Sequence, residues 1–142
     1  MILYLDASAL VKRYIKEQHS ERVNDWIDSA EVNVTGLITR VEVAAAIARA
    51  RKMKMIPLEE TQKALSNLRS DWESFRRLPI TENTVIRGDS LAVEHDLRGY
   101  DATHLACALI WQETIGDPVT LASFDVQLLK AARSENMAVL PS

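Results

Sequence analysis

The chain has 142 residues, 47% hydrophobic and 26% charged, the composition of a soluble globular protein rather than a disordered segment, and no stretch approaches the ~20 apolar residues of a membrane span. Its four glycines, Gly36, Gly88, Gly99 and Gly116, are scattered, which excludes the clustered-glycine loops that cradle nucleotide phosphates; the lone Cys107 excludes an internal disulfide and fits a reducing, cytoplasmic compartment. The net charge of −3 argues against gripping nucleic acid through bulk positive charge, while leaving room for a local basic rim.

At this length one domain over residues 1–142 is expected. The opening MILYLDASAL lacks a basic leader and is interrupted by Asp6, so it reads as a buried strand over Ile2–Leu5 rather than a signal peptide. A helix follows over Ser8–Glu17, and a second starts at Ser20 as N-cap with Val23, Trp26, Ile27 and Ala30 on one face. Val32–Thr35 alternates as a strand closed by Gly36, and Leu37–Met53 reads as a helix apolar nearly all round its first turns, hence buried. Pro57 suits the first turn of the next helix, and Leu58, Leu65, Leu68, Trp72 and Phe75 form one stripe that Arg76 and Arg77 close. That stripe is read as core, or as a groove for a partner helix. A short strand over Leu78–Ile80, a helix capped by Thr81 and running to Asp96, a turn over Leu97–Tyr100 and a helix over Asp101–Glu113 follow. The chain closes with strand Val119–Ala122, helix Asp125–Arg133 and strand Ala138–Leu140. Such alternation predicts an α/β fold with helices on both faces of a parallel sheet, whose sites lie beyond the carboxyl ends of the strands.

That edge receives Asp6, Asp101 and Asp125, each where a helix begins. Aspartate is a favoured N-cap worth roughly 1 kcal/mol, so capping is an open alternative for each. Glu42 is harder to explain in that way, because its neighbours Val41, Val43 and Ala44 want burial; its alternative is a capping box with Thr39. If the four acids meet, two carboxylates ~4 Å apart repel by about 4 kcal/mol at an effective dielectric of 20. Such a cluster takes up protons or holds a cation, and all-oxygen ligation selects Mg²⁺ or Mn²⁺ over zinc. A hard ion in a solvated cleft suits phosphoryl chemistry.

These residues also carry a family resemblance. Tyr4-Leu5-Asp6-Ala7-Ser8-Ala9-Leu10, Arg40-Val41-Glu42-Val43-Ala44, Leu97-Arg98-Gly99-Tyr100-Asp101-Ala102-Thr103-His104-Leu105-Ala106 and Leu121-Ala122-Ser123-Phe124-Asp125 resemble, in order, the four acidic elements of PIN-domain ribonucleases. The small size is similar to the VapC-type toxins of toxin–antitoxin pairs. The resemblance implies a PIN-like three-layer α/β/α sandwich and a Mg²⁺-dependent endoribonuclease. It implies a homodimer inhibited by a cognate VapB-type antitoxin and meeting DNA only through that antitoxin. By the same resemblance Asp6 and Asp101 would ligate metal directly, Glu42 would bind metal or orient the attacking water, and Asp125 would complete the cluster. Ser8 and Ser123 would orient the ligating oxygens. Ser123 stands where threonine is common, which keeps the hydroxyl; Gly99 stands where a bulkier residue is frequent and would loosen the turn before Asp101.

Lys12, Arg13, Arg40 and Arg98 flank the acidic elements and are candidates for gripping RNA phosphates, with ordinary surface ion pairs as the alternative. His104 is read as packed on a helix face, and His19 and His95 as exposed; no CxxC or HExxH supports zinc. Two other functions compete. An aspartate-nucleophile phosphatase would suit Asp6 but wants a second aspartate where Ser8 stands, and a non-catalytic PIN-like RNA-binding or scaffold protein would not need all four acids.

Overall fold

Leu3, Tyr4 and Leu5 are fully buried, so the strand that carries them, β1 (Ile2–Leu5), has to lie in the middle of a sheet covered on both faces. In the computed structural model, which describes residues 1–142, it does. Strands β2 (Val32–Gly36), β3 (Arg76–Leu78), β4 (Val119–Ala122) and β5 (Ala138–Leu140) complete one sheet in the order β3-β2-β1-β4-β5, every neighbouring pair parallel. Helices α1 (Ala7–Tyr14), α2 (Ser20–Ser29), α3 (Thr39–Lys52) and α4 (Leu58–Asp71) follow the first two strands, and α5 (Glu82–His95), α6 (Gly99–Ile115) and α7 (Val126–Ser134) follow the third and fourth.

The period-2 alternation of β1 sorts the core into two layers. Leu3 and Leu5 point to one face, where Leu10, Val23, Ile27, Val43, Ile47 and Leu68 of α1–α4 cover them. Tyr4 points to the other, among Leu91, Leu105, Leu109 and Leu128 of α5–α7. The result is a three-layer α/β/α sandwich, as the alternation predicts. Because the chain moves outward from β1 to β3 and then crosses to β4, the order reverses between β1 and β4, and their carboxyl ends open a crevice.

Several element readings change. The structure ends α1 at Tyr14 and starts α2 with His19 in the left-handed region (φ 72°), so Ser20 is helical rather than the cap. Helix α3 begins at Thr39, and only Thr39, Val43, Ile47 and Ala50 are buried while Val41 is exposed; the apolar run of alanines hides an ordinary one-sided helix. Leu58 is exposed, so the stripe down α4 meets the core from the half-buried Leu65 through Leu68, Trp72 and Phe75. Arg76 and Arg77 belong to β3, the edge strand, where pairing with Val34 and Thr35 outweighs their helical propensity. Helix α6 starts two residues early, with Arg98 as its N-cap, which places Asp101 inside its first turn. Gly99 is the first residue of that helix, with open space where a Cβ would stand. Thr81 caps α5 as predicted, in a reciprocal capping box with Thr84. No helix is long and apolar enough to cross a membrane.

Candidate active site

Asp6 lies at the end of β1, where its backbone N–H still reaches the Ala122 carbonyl of β4 at 3.2 Å. Its carboxylate is 3% exposed and caps α1 by accepting from the Ala9 N–H at 2.9 Å. The same oxygen, Oδ1, accepts from Ser8 Oγ at 2.7 Å, and Oδ2 accepts from Ser123 Oγ at 2.6 Å. Each serine is also an acceptor: Ser8 Oγ across the crevice from the Phe124 N–H at 2.9 Å, and Ser123 Oγ within its own loop from the Asp125 N–H at 3.0 Å. A hydroxyl has one proton, and both protons are spent on Asp6. The two loops that follow β1 and β4 are thereby tied together around one carboxylate whose orientation is fixed on both oxygens.

Asp125 follows Ser123 and caps α7 through Oδ1, 2.8 Å from the Leu128 N–H. Its Oδ2 accepts from Arg98 Nη2 at 3.1 Å, and Arg98 Nε lies 3.4 Å from Asp101 Oδ2. Arg98 therefore bridges two of the acids while its own side chain stays 82% exposed. Glu42 arrives from the first turn of α3. It makes no capping box: the Thr39 hydroxyl lies 2.8 Å from that of Thr35, and the Glu42 carboxylate turns to His104 Nε2 at 2.6 Å. Asp6, Glu42, Asp101 and Asp125 line one open cleft of about 400 Å³ together with Ala7, Ser8, Arg49, Arg98, Tyr100 and His104.

The electrostatics follow from this crowding. Burial raises the pKa of Asp6 above 3.8, against the opposing pull of His104 and the serine hydrogen bonds. Asp101 is raised by burial and by the Asp125 charge, with Arg98 holding it back. His104 is 2% exposed; burial opposes its charged form, yet the bond to Glu42 and the charges of Asp6, Glu42 and Asp101 prevail and raise its pKa above 6.5. Tyr4 and Cys107 are both pushed up by burial, the thiol to about 11, so neither offers an anion at neutral pH. Carboxylates and hydroxyls surround the cleft, a donor set that fits a hard divalent cation. The tightest group of potential ligands in the chain is elsewhere: Glu94, His95 and Glu135, within 4.8 Å of one another, lie at the far ends of α5 and α7, where His95 pairs with Glu135 at 3.1 Å.

Of the flanking cations, Arg98 alone among the four singled out lines the cleft. Arg13 is engaged by Asp71 at 3.1 Å and Asn24 at 3.2 Å, joining α1 to α4 and α2. Arg40 lies over the Trp72 ring at 5.9 Å, and Lys12 pairs with Glu17 at 3.1 Å beside the Phe124 ring. His19 stacks on Phe124 at 5.2 Å and His95 is half-buried, so neither is the exposed histidine predicted. Sequence reasoning passed over Arg49 and Tyr100 and gave His104 only a packing role. Arg49 is seven residues after Glu42, two helical turns on the same face, and His104 is three after Asp101, so spacing is a signal for both; the partners of His104, 62 and 100 residues away, are not marked locally.

Residues 3–134 match the family model described as PIN domain. Ribonuclease VapC49 of Mycobacterium tuberculosis is 32% identical over 146 residues, covering 99% of this chain and 96% of its own. Among solved structures, FitAB bound to a DNA fragment is similar with a TM-score of 0.73 at 20% identity, covering 98% of this chain and 94% of that one. VapBC2 from Rickettsia felis, bound to a promoter DNA fragment, is similar with a TM-score of 0.67 at 13% identity, covering 98% and 97%. At these identities the structural likenesses show the fold alone.

Proposed function

The chain belongs to the PIN domain family, and from that premise we propose that it is a VapC-type endoribonuclease, the toxin of a toxin–antitoxin pair, hydrolysing RNA phosphodiester bonds with water at a Mg²⁺ or Mn²⁺ centre. The observation that carries the reading is the convergence of Asp6, Glu42, Asp101 and Asp125 on one cleft at the switch point between β1 and β4. Asp6, Asp101 and Asp125 would hold the ion, and Glu42 would ligate it or orient the attacking water. Such an ion lowers the pKa of a bound water and neutralises charge on the phosphate oxygens. Ser8 and Ser123 keep both oxygens of Asp6 in place, so the site needs little rearrangement to act. Arg98, the exposed cation at the acids, would meet a phosphate of the RNA, and Lys12, Arg13 and Arg40 would lie farther out along it. Hydrolysis by water needs no ribose 2′-hydroxyl and leaves a 3′-hydroxyl and a 5′-phosphate.

The antitoxin follows by kinship. The FitAB and VapBC2 structures are complexes on DNA, which supports a VapB-type partner and contact with DNA in its company; a homodimeric toxin acting in the cytoplasm belongs to the same proposal through the family resemblance alone. The phosphatase reading has less support, because Ser8 stands where such an enzyme wants its second aspartate, and here it donates to Asp6 instead. The test is cleavage of RNA by the purified protein. It should require Mg²⁺ or Mn²⁺ and fall at least about a hundredfold in Asp6→Asn or Asp101→Asn, with circular dichroism unchanged. Full cleavage in either variant, or in excess EDTA, refutes the mechanism.

A further inference from the structure

Behind the cleft a chain of polar groups runs into the core. Tyr4 Oη lies 2.8 Å from His104 Nδ1, and His104 Nε2 lies 2.6 Å from Glu42 Oε1. Tyr4 is fully buried and His104 nearly so, and the three residues come from β1, α6 and α3. We propose that His104 is a positioning residue for Glu42: the Tyr4–His104–Glu42 chain fixes which carboxylate oxygen faces the cleft, and so sets how tightly the acidic centre holds a divalent ion. The proposal rests on the metal-centre reading above and adds to it a residue that makes no contact with the ion.

The direction of the bonds follows from donor counting. A Glu42 carboxylate can only accept, so Nε2 must carry a proton whatever the charge on the ring. If the imidazole is neutral, Nδ1 is bare and accepts the Tyr4 hydroxyl. If it is charged, Nδ1 donates to the Tyr4 oxygen instead. In both cases Oε1 of Glu42 is committed to His104, and Oε2 is the oxygen left for the cleft. An unanchored glutamate has three side-chain torsions to fix on ordering, a cost that a prearranged one has already met during folding.

The strand beside it is shaped for this chain. Gly36 ends β2, and a Cβ built on it would stand 3.0 Å from Tyr4 Oη and 4.0 Å from His104 Nδ1. Its φ is not in the left-handed region, so backbone conformation does not demand glycine there; the room for the Tyr4–His104 pair does.

The experiment measures Mn²⁺ binding to the full-length protein by calorimetry without RNA, alongside cleavage and melting temperature. His104→Leu keeps the bulk and removes the bond, and should weaken Mn²⁺ binding about 10- to 100-fold. His104→Gln puts an amide N–H near the position of Nε2 and should recover most of that loss. A residue needed only for packing would give the opposite order, with Leu tolerated better than Gln. In a Glu42→Gln background, His104→Leu should cause no further loss. If His104→Leu does not fold, Tyr4→Phe serves: it frees Nδ1 and should weaken Mn²⁺ binding several-fold. Wild-type affinity in the folded His104→Leu protein, or in Tyr4→Phe should that be the variant measured, overturns the proposal. So do equal losses in the Leu and Gln variants, and full additivity with Glu42→Gln. Failure of the parent reading looks different: the unmutated protein would bind no Mn²⁺, or Asp6→Asn would bind it unchanged.

Discussion

Asp6 shows how one carboxylate can be a helix cap and a site residue together. Its Oδ1 satisfies the Ala9 N–H, and its burial, which would otherwise be costly, is offset by the two serine hydroxyls. Ser123 is fully buried and serves both sides of the crevice, donating to Asp6 and accepting from the Asp125 N–H. Ser123→Ala leaves an acceptor and a donor unpaired in a dry place. It should cost ~1–3 kcal/mol in urea unfolding and lower RNA cleavage, whereas Ser123→Thr, which keeps the hydroxyl, should do neither. An alanine variant as stable and as active as the parent would show that Asp6 does not depend on its serines. The sequence marked Ser8 and Ser123 only through family likeness; their joint hold on Asp6 is a property of two loops 115 residues apart.

Helix α7 separates the two roles of Asp125, because its cap uses Oδ1 and the cleft uses Oδ2. Asparagine caps as well as aspartate, while alanine does not. Asp125→Asn should therefore hold its stability within a few tenths of a kcal/mol yet lose cleavage, and Asp125→Ala should lose cleavage and about 1 kcal/mol besides. Equal stability of the two variants in denaturant titration would remove the capping role. At this scale most elements were legible. Strands β4 and β5 and the cap at Thr81 follow from alternation and capping chemistry, while the answering bond from Thr84 is visible only in the fold. The misplacements fall where tertiary contact overrides local preference: Arg76 and Arg77 are drawn into an edge strand, and the alanine-rich start of α3 exposes half its surface.

For the whole molecule the acidic centre crowds carboxylates whose mutual repulsion a bound cation would relieve. Burial first, and for Asp101 also the Asp125 charge, raise the pKa values of Asp6 and Asp101 above 3.8. The folded state then holds protons that the unfolded chain has released. The stability these groups contribute is full below pH 3.8 and is lost as pH rises through the raised values. A divalent ion stabilises the deprotonated centre, by ~2.7 kcal/mol at about 100 times its Kd. The rise in melting temperature with millimolar Mg²⁺ should thus be small at about pH 4 and grow toward neutrality. A rise that is flat with pH, or absent in the parent and in Asp101→Asn alike, would count against a carboxylate-held ion.

Periodicity and turn chemistry act over a few residues, and that range is what the sequence alone could determine: the alternation of strands and helices, a parallel sheet, and the placing of Asp6 and Asp125 just beyond strand ends. The same reading puts Asp101 at that edge and singles out Glu42 among neighbours that want burial; family likeness adds the role of each acid. The folded chain decided the rest. The bridge of Arg98 across two acids, the diversion of Arg13 to Asp71, and the burial of His104 between Tyr4 and Glu42 depend on which side chains the sandwich brings within 3 or 4 Å. Such partners are set by layer packing across α1, α3, α4 and α6, and no local pattern in the chain encodes that distance.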